Sequence, residues 1–210
     1  MIPTGLAAMT IFAQNNHIGL WNHVSANLWL SVPVTVLLLD CLIYWQHRLF
    51  HCIPMLWRIH MVHHADPHLD ASTGLRFHPL EIALSLMVKI AAVLLLGVPV
   101  LAIFIFEILL NATSIFNHSN IKLPVKIDKL LRALIVTQAM HRIHHSQVIA
   151  ETDSNFGFNL SIWDRLFGSY TEEAKTGDDA IKLGLKEYSS PKTNTSLKAL
   201  LLMPFKQKPY

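Results

Sequence analysis

Long apolar stretches alternate with polar, histidine-rich stretches along the sequence. Residues 27–46 form the first strong apolar stretch, with Asp40 as its one acid, and this length predicts a membrane helix. Residues 80–116 hold two more apolar stretches separated by a Gly-Val-Pro break, which predicts a membrane helical hairpin. Residues 1–26 are only mildly apolar and are interrupted by Pro, Gly and Asn, so we expect a weak or truncated N-terminal membrane segment there.

The last part of the chain is different in character. Residues 117–210 are mostly polar and predict a cytosolic cap and tail, with short helices and turns. No internal repeat and no low-complexity linker interrupts the sequence. We therefore expect residues 1–210 to form a single domain.

Composition supports a membrane location. The chain is 52% apolar but only 15% charged, whereas soluble domains carry about 25% charged residues. The formal net charge is only +3, and the Lys and Arg residues are scattered and form no basic stripe. This pattern indicates a membrane partner and argues against a nucleic acid partner.

Histidine is the residue type that needs a chemical explanation, because 13 of the 210 residues are His and most are clustered. Residues three and four apart on a helix lie on one face, so an HxxxH or HxxHH motif directs its imidazoles to a common point. Eight imidazoles are more than one metal ion can bind, but they suit two. The three motifs are His47–His51, His60–His63–His64 and His141–His144–His145.

The donor set restricts the chemistry. Imidazole suits Fe, Zn and Cu, and the absence of thiolates argues against a structural zinc site. The glutamate of a zinc protease HExxH motif would fall at Met61 or Arg142, so neither motif has that general base. The HxxxH motif closely follows the first membrane helix, which predicts a metal site at the water–membrane boundary.

At these residues the sequence resembles the fatty acid hydroxylase and sterol desaturase superfamily of integral membrane di-iron enzymes. The resemblance covers roughly residues 30–205 and extends beyond the histidines. Its segments are Asp40-x-x-x-Tyr44-Trp45-x-His47-Arg48, Leu56-Trp57-Arg58-x-His60, Arg76-Phe77-His78-Pro79-Leu80-Glu81, Asn117-His118-Ser119-Asn120, Asn155-Phe156-Gly157 and Trp163-Asp164-Arg165-Leu166-Phe167-Gly168-Ser169-Tyr170.

The resemblance implies two Fe ions, O2 as co-substrate, and hydroxylation or desaturation at an unactivated C–H of a lipid such as a sterol or fatty acyl chain. Zinc can occupy such a site in a purified sample. No catalytic residue beyond the metal ligands is expected. The implied ligands are His47, His51, His60, His63, His64, His141, His144 and His145, with His118 as a ninth and His78 as a tenth. Supporting residues behind the ligands are expected at Asp40, Glu81, Asp153, Asn155 and Asp164.

The expected protein is all-α: an integral membrane protein with three to four membrane helices and a cytosolic helical cap that holds a dimetal site. The resemblance places it in the bacterial inner membrane or the endoplasmic reticulum, with the metals on the cytoplasmic side. The chain is shorter at its N-terminus than larger family members, and it has no His-Pro-Gly-Gly haem signature. Electrons are therefore expected from a separate donor of the cytochrome b5 or ferredoxin type.

Two other functions remain compatible with the residues alone. A membrane zinc hydrolase or isomerase would also use imidazole ligands, and its turnover would need neither O2 nor reductant. A non-catalytic relative that binds metal or lipid would keep the same histidines without chemistry. The lipid, the carbon attacked and the choice between hydroxylation and desaturation stay open at this stage.

Overall fold

The computed structural model describes residues 3–190, 192 and 195–206, and this part of the chain is all-α with only two isolated β-bridges. The α-helices are α1 (Pro3–Asn15), α2 (Leu28–Cys52), α3 (Pro54–His64), α4 (Pro79–Leu96), α5 (Val100–Asn117), α6 (Val125–Leu131), α7 (Gln138–His144), α8 (Ile149–Thr152), α9 (Ile162–Leu166) and α10 (Leu197–Leu202). Short 3-10 helices occupy Leu20–Asn22, Thr73–Leu75, Asp178–Ala180, Lys186–Tyr188 and Met203–Phe205.

Three helices in the described part, α2, α4 and α5, are long and apolar enough to cross a membrane. Their outer faces carry large apolar side chains with no protein cover, such as Trp29 (91% exposed), Leu95 (74%) and Ile108 (67%). Such surface is compatible with lipid contact rather than with water. The chain is therefore an integral membrane protein, and its described residues hold three candidate spans, within the three to four predicted.

Helix α2 is longer than the predicted span of residues 27–46. It begins where the Asn27 side chain accepts a hydrogen bond from the Leu30 N–H, and it continues to Cys52. Its 25 residues give a length of about 37 Å, which exceeds the hydrocarbon core of about 30 Å. The HxxxH motif therefore lies on the last turns of the same helix, past the predicted membrane stretch.

Helices α4 and α5 form the predicted hairpin. Gly97 ends α4 in the left-handed conformation (φ 64°), which glycine adopts without steric cost, and α5 starts just after Pro99. Inside the hairpin, Lys89 Nζ donates to Glu107 Oε1 at 2.6 Å, and both side chains are buried. The chain reversal brings the start of α4 and the end of α5 to the same side of the molecule.

The N-terminal segment forms a short helix. Helix α1 has 13 residues, fewer than the roughly 17 needed to cross a bilayer. It packs against α4 and α5 and buries Leu6 and Ala13. This part of the chain thus supports the hairpin from the end opposite to the histidines.

The polar part after α5 forms a cap over the histidine-bearing ends of the membrane helices. Residues 171–196, which their polarity predicts to be exposed, include Ala174, Ile181 and Tyr188 as buried positions. The chain after α10 returns to α3, where Met203 is 1% exposed in a cluster with Met61 and Tyr188. The C-terminal segment therefore covers the back of α3, one of the histidine-bearing helices.

Candidate metal centre

Buried histidines converge in two adjacent clusters at the junction of α2, α3, α5 and α7. Within each cluster, one candidate ligand atom per residue lies within 4.8 Å of those of all other members. The five-histidine cluster contains His47, His51, His60, His64 and His144. The four-histidine cluster contains His63, His118, His141 and His145.

The two HxxHH motifs are each divided between the clusters. Residues four apart on a helix differ by only about 40° in direction, so they face the same cluster, whereas the residue at the third position diverges. His60 and His64 accordingly share the five-histidine cluster, and His63 joins the other. In the third motif the division is reversed, because His144 alone reaches the five-histidine cluster. Each motif therefore links both clusters.

Hydrogen bonds at Nδ1 orient the rings of the five-histidine cluster. His47 Nδ1 lies 2.8 Å from the Phe156 carbonyl, and His144 Nδ1 lies 2.8 Å from the Ser154 carbonyl. Because a carbonyl can only accept, each Nδ1 carries the proton and donates it. This tautomer leaves Nε2 of both rings as a bare acceptor, which is the state that a metal ion requires.

Two carboxylates complete this orientation. His60 Nδ1 donates to Glu81 Oε1 at 2.7 Å, and His51 Nδ1 donates to Asp153 Oδ1 at 3.3 Å. The unpartnered side-chain nitrogens in the cluster are buried Nε2 atoms, which belong to His51, His60, His64 and His144. Buried polar atoms without a partner are costly, and a shared cation would satisfy all four.

The four-histidine cluster shows the same requirement in another form. His118 Nδ1 donates to the Ser114 carbonyl at 2.7 Å, and His63 Nδ1 donates to the Arg76 carbonyl at 3.3 Å. Both Nε2 atoms are therefore lone-pair acceptors, yet they lie 3.0 Å apart. Two acceptors cannot bond each other, whereas a cation between the rings would bind both. The residues present thus fit a metal ion in each cluster.

Burial keeps these imidazoles neutral. Burial, with a smaller contribution from neighbouring imidazoles, lowers the pKa of His118 to about 4 and that of His144 to about 3. The same two causes lower the pKa values of His63, His64 and His145 well below the usual value. Neutral rings are ready to bind metal at physiological pH without first losing a proton.

Aromatic side chains wall the clusters against water. The Phe156 ring lies 5.2 Å from the His51 ring, and Trp57 lies 4.9 Å from His51 on the other side. Phe77 stacks on His63 at 4.4 Å with an interplanar angle of 10°. These contacts fix the rings and lower the local dielectric constant around the site.

A family model described as fatty acid hydroxylase matches residues 32–169, more than half of the chain. The chain belongs to the fatty acid hydroxylase family. The match spans all three histidine motifs, the hairpin and the loop that carries Phe156. It therefore confirms the resemblance that the motifs predict.

Curated relatives in this family are named as enzymes of lipid oxidation. An ornithine lipid hydroxylase of Rhizobium tropici is 33% identical over 61% of this chain and 38% of its own length. An alkylglycerol monooxygenase of Danio rerio is 32% identical over 62% of the chain and 28% of its own length. A lathosterol oxidase of Mus musculus is 27% identical over 69% and 47%. The chain thus spans less than half of these relatives. No solved structure matches it significantly.

The structure places one predicted ligand of this family member elsewhere. His78 lies outside both clusters and is the N-cap of α4, where its Nδ1 accepts from the Leu80 N–H. Its Nε2 lies 3.3 Å from the Leu201 carbonyl. Both ring nitrogens are therefore engaged outside the clusters, and metal binding by His78 stays a prediction. Pro79 at the first helical position explains why His78 acts as a cap.

The predicted supporting residues divide into two groups. Glu81 and Asp153 contact histidines directly, as described above. Asp40 contacts none and instead accepts hydrogen bonds from Asn159, the Leu160 N–H and Trp163 Nε1. Its role is to tie α2 to the cap, which differs from the predicted contact behind a ligand.

Asn155 and Asp164 also contact no histidine, but they hold the loop that does. Asp164 accepts from the Phe156 and Gly157 N–H groups, and Asn155, in the left-handed conformation at φ 53°, donates to the Met140 and Thr171 carbonyls. A Cβ on Gly157 would lie 2.6 Å from Asp164 Oδ2, so this close approach requires glycine. The loop thereby presents its two histidine-binding carbonyls.

The backbone carbonyls that contact histidines, two in this loop and two elsewhere, are the functional groups that sequence reasoning missed. Phe156, Ser154, Ser114 and Arg76 act through backbone oxygens, so their side chains carry no signal for this role. The Asn155-Phe156-Gly157 motif is the available signal, because Asn and Gly mark a tight turn. It identifies the loop, but it does not identify the atoms that the histidines bind.

A cavity of about 230 Å³ lies between α2, α4 and α5 and reaches the clusters. Three histidines line it: His47 and His60 of the five-histidine cluster, and His63 of the four-histidine cluster. Its sides are mostly apolar, with Ile43 and Leu110 among them. The cavity therefore places apolar side chains beside histidines of both clusters.

Proposed function

We propose that this chain is an oxidoreductase of the fatty acid hydroxylase family that hydroxylates or desaturates an unactivated C–H of a lipid, with two iron ions, O2 and external electrons. One observation carries the proposal. Nine buried histidines present bare nitrogens to two points, next to a cavity that lies among the membrane helices. The names of the relatives point to the same class of reaction.

The nine histidines would hold the metals. When bound, the irons would supply the O2-dependent oxidation of the C–H bond, which protein side chains cannot perform. The chain's own contribution is geometric. The Phe156 and Ser154 carbonyls and the Glu81 carboxylate fix ring orientation, while Phe77 and Trp57 exclude water from the centre.

The electron donor and the membrane side complete the proposal. We assign electron supply to a separate cytochrome b5 or ferredoxin type protein, which would dock on the cap close to the clusters. The cap and the metals would face the cytoplasm, in the bacterial inner membrane or the endoplasmic reticulum. A zinc-dependent hydrolase has no comparable support, because the named relatives are hydroxylases, monooxygenases and oxidases.

The test combines metal content with lipid products. Purified chain should hold about two metal ions per molecule, and cells expressing it under ¹⁸O2 should accumulate a lipid heavier by one ¹⁸O or lighter by two hydrogens. His60→Ala should abolish the product, whereas His78→Ala should retain two metals because His78 lies outside both clusters. Product formation without O2, or a product unchanged by His60→Ala, would contradict the proposal.

A further inference from the structure

Two short helices of the cap expose apolar side chains and bury their acids. In α6, Leu130 is 75% exposed, whereas Asp128 is buried in an ion pair with Arg132. In α9, Leu166 is 66% exposed, whereas Asp164 is buried. A helix that borders water has the opposite arrangement, because its apolar side chains face the core and its charged side chains face the solvent. The two helices therefore suit an apolar medium on their outer side.

Backbone contacts join the two helices into one surface. The Arg132 carbonyl, just after α6, accepts from Ser161 Oγ at 2.7 Å and from the Arg165 guanidinium at 3.2 Å. The Leu134 carbonyl accepts from the Ser161 N–H at 3.1 Å, so the exposed Leu134 side chain lies beside the start of α9. We call the exposed side chains of this surface the cap face, and they are Leu130, Leu134, Ile162 and Leu166.

The contacts of α9 with α2 give the depth of the cap face. Before α9, the Leu160 N–H donates to Asp40 Oδ2 at 3.2 Å, and after it the Phe167 ring lies 4.8 Å from the Trp45 ring. Helix α9 therefore lies beside residues 40–45 of α2. Those residues fall within the predicted membrane stretch of residues 27–46 and within a helix apolar enough to span a bilayer. The cap face is thus continuous with the outer surface of the membrane helices.

The exposed charges around the cap face are positive. They are Lys126 and Lys129 of α6 and Arg165 of α9. Lys129 is partly neutralised by Glu172 and Glu173, which lie 3.9 and 4.0 Å away. Lys126 and Arg165 remain to meet phosphate groups. Apolar side chains next to cations are typical of helices that lie where acyl chains meet lipid head groups.

We propose that the cap face is a second membrane-contacting surface, through which α6 and α9 lie in the phospholipid leaflet that surrounds α2. This surface goes beyond the proposed function, because it needs neither a metal nor a substrate. It also lies close to the metal centre. Asp164 of α9 accepts from the Phe156 and Gly157 N–H groups, so the leaflet would support from outside the loop whose carbonyls orient His47 and His144.

The test is photocrosslinking of the full chain in vesicles of phosphatidylcholine and phosphatidylglycerol. The photoreactive residue p-benzoylphenylalanine replaces one side chain at a time, and under ultraviolet light it attaches to neighbouring C–H bonds. Intact-mass spectrometry then reports whether a phospholipid or a second protein chain has been attached. We expect phospholipid adducts at Leu130 and Leu166 in about the same yield as at Ile108 of α5. Ile108 is the matched reference, because it is 67% exposed on a membrane helix.

Thr176 is the control on the opposite side of the cap. It is exposed, and Ala174 nearby packs against Ile143 of α7. Ile143 points away from His141, because residues two apart on a helix face nearly opposite directions. The phospholipid yield at Thr176 should be several-fold lower than at Leu166.

Three results would overturn the proposal. The first is a yield at Leu130 and Leu166 as low as that at Thr176, which would place the cap face in water. The second is attachment to another copy of the chain at these positions, which would make the cap face a contact between protomers. The third is a phospholipid yield at Thr176 equal to that at Leu166. Leu130 and Leu166 are both exposed, so either replacement leaves the packed interior intact, and the Ile108 adduct shows that the chain is inserted in the vesicles.

Discussion

The two histidine clusters differ in what holds their rings. In the five-histidine cluster, orientation comes from outside, through the loop carbonyls of Phe156 and Ser154 and the carboxylates of Glu81 and Asp153. In the four-histidine cluster, the Ser114 and Arg76 carbonyls hold two rings, no carboxylate partner occurs among the described contacts, and neighbouring Nε2 atoms lie 2.9 to 3.1 Å apart. The rings of the first cluster can thus be adjusted through side-chain carboxylates, whereas those of the second are supported by backbone carbonyls.

Removing one ligand from each cluster should give the largest contrast. His118→Ala leaves three histidines in the smaller cluster, while His51→Ala leaves four in the larger one. We expect His118→Ala to lower the metal content from about two ions per chain to about one, and His51→Ala to retain both. Elemental analysis of the purified variants measures this difference.

The control for both variants is His78→Ala, because that side chain caps α4 and contacts neither cluster. It should hold the wild-type amount of metal. Equal metal loss in His118→Ala and His51→Ala would contradict the expectation that the larger cluster tolerates the loss of one histidine and the smaller one does not.

Acid should destabilise the metal-free protein. The pKa of His144 is lowered to about 3 and that of His118 to about 4, primarily by burial, whereas an unfolded histidine titrates near 6.5. The unfolded chain therefore binds more protons below pH 6.5, and the free energy of unfolding falls as pH decreases from about 6.5 towards these values. Chelator-treated protein unfolded by denaturant at pH 7.5 and pH 5 tests this direction.

One substitution in each cluster sharpens the pH comparison. His144→Phe and His118→Phe should each weaken the pH dependence by a similar amount, because both rings stay neutral in the folded protein down to pH 5. A metal-free protein that becomes more stable between pH 6.5 and 5 would contradict the neutral state of these rings.

The sequence predicted which histidines come together better than it predicted their arrangement. Helical spacing identified eight histidines, and the family resemblance added His118, because side-chain identity is written directly in the sequence. Which cluster each ring joins depends on how the helix is rotated. Spacing alone therefore did not predict that His63 and His144 each join a different cluster from the other histidines of their motif. His78 lies apart from both clusters, and the sequence did not indicate this, since a histidine before a proline serves equally well as a helix cap.

The fold was predictable where hydrophobicity is the main signal. The hairpin boundaries agree with the structure within a residue or so, because a Gly-Val-Pro break ends one apolar run and starts the next. Helix α2 ends at Cys52, beyond the predicted membrane stretch of residues 27–46, because the histidines continue the same helix. The Lys89–Glu107 pair was also missed. Its signal was available, because the two charges lie at similar distances from the hairpin turn and so face each other.

Glu81→Gln should weaken metal binding in the five-histidine cluster and leave metal binding in the four-histidine cluster unchanged. The Glu81 carboxylate is buried and accepts from His60 Nδ1 at 2.7 Å, and loss of such a partner typically costs 10–100-fold in metal affinity. In competition with a chelator, the variant should therefore lose the metal of the five-histidine cluster before the metal of the four-histidine cluster. The gap between the two affinities should be wider than in the wild type. Glu173→Gln is the matched surface control. Equal weakening of both metals would remove the distinction between the clusters.

Asp153→Asn should have the smallest effect. Asp153 also faces a ligand of the five-histidine cluster, His51, but the distance is 3.3 Å and the Asp153 side chain is 54% exposed. Water screens such a contact and can replace it, so the affinity for the metal of that cluster should change by no more than about threefold. The same chelator competition measures it. If Asp153→Asn lowered the metal affinity as much as Glu81→Gln does, burial of the carboxylate would not explain its effect. The charge of the carboxylate next to His51 would then be the deciding factor.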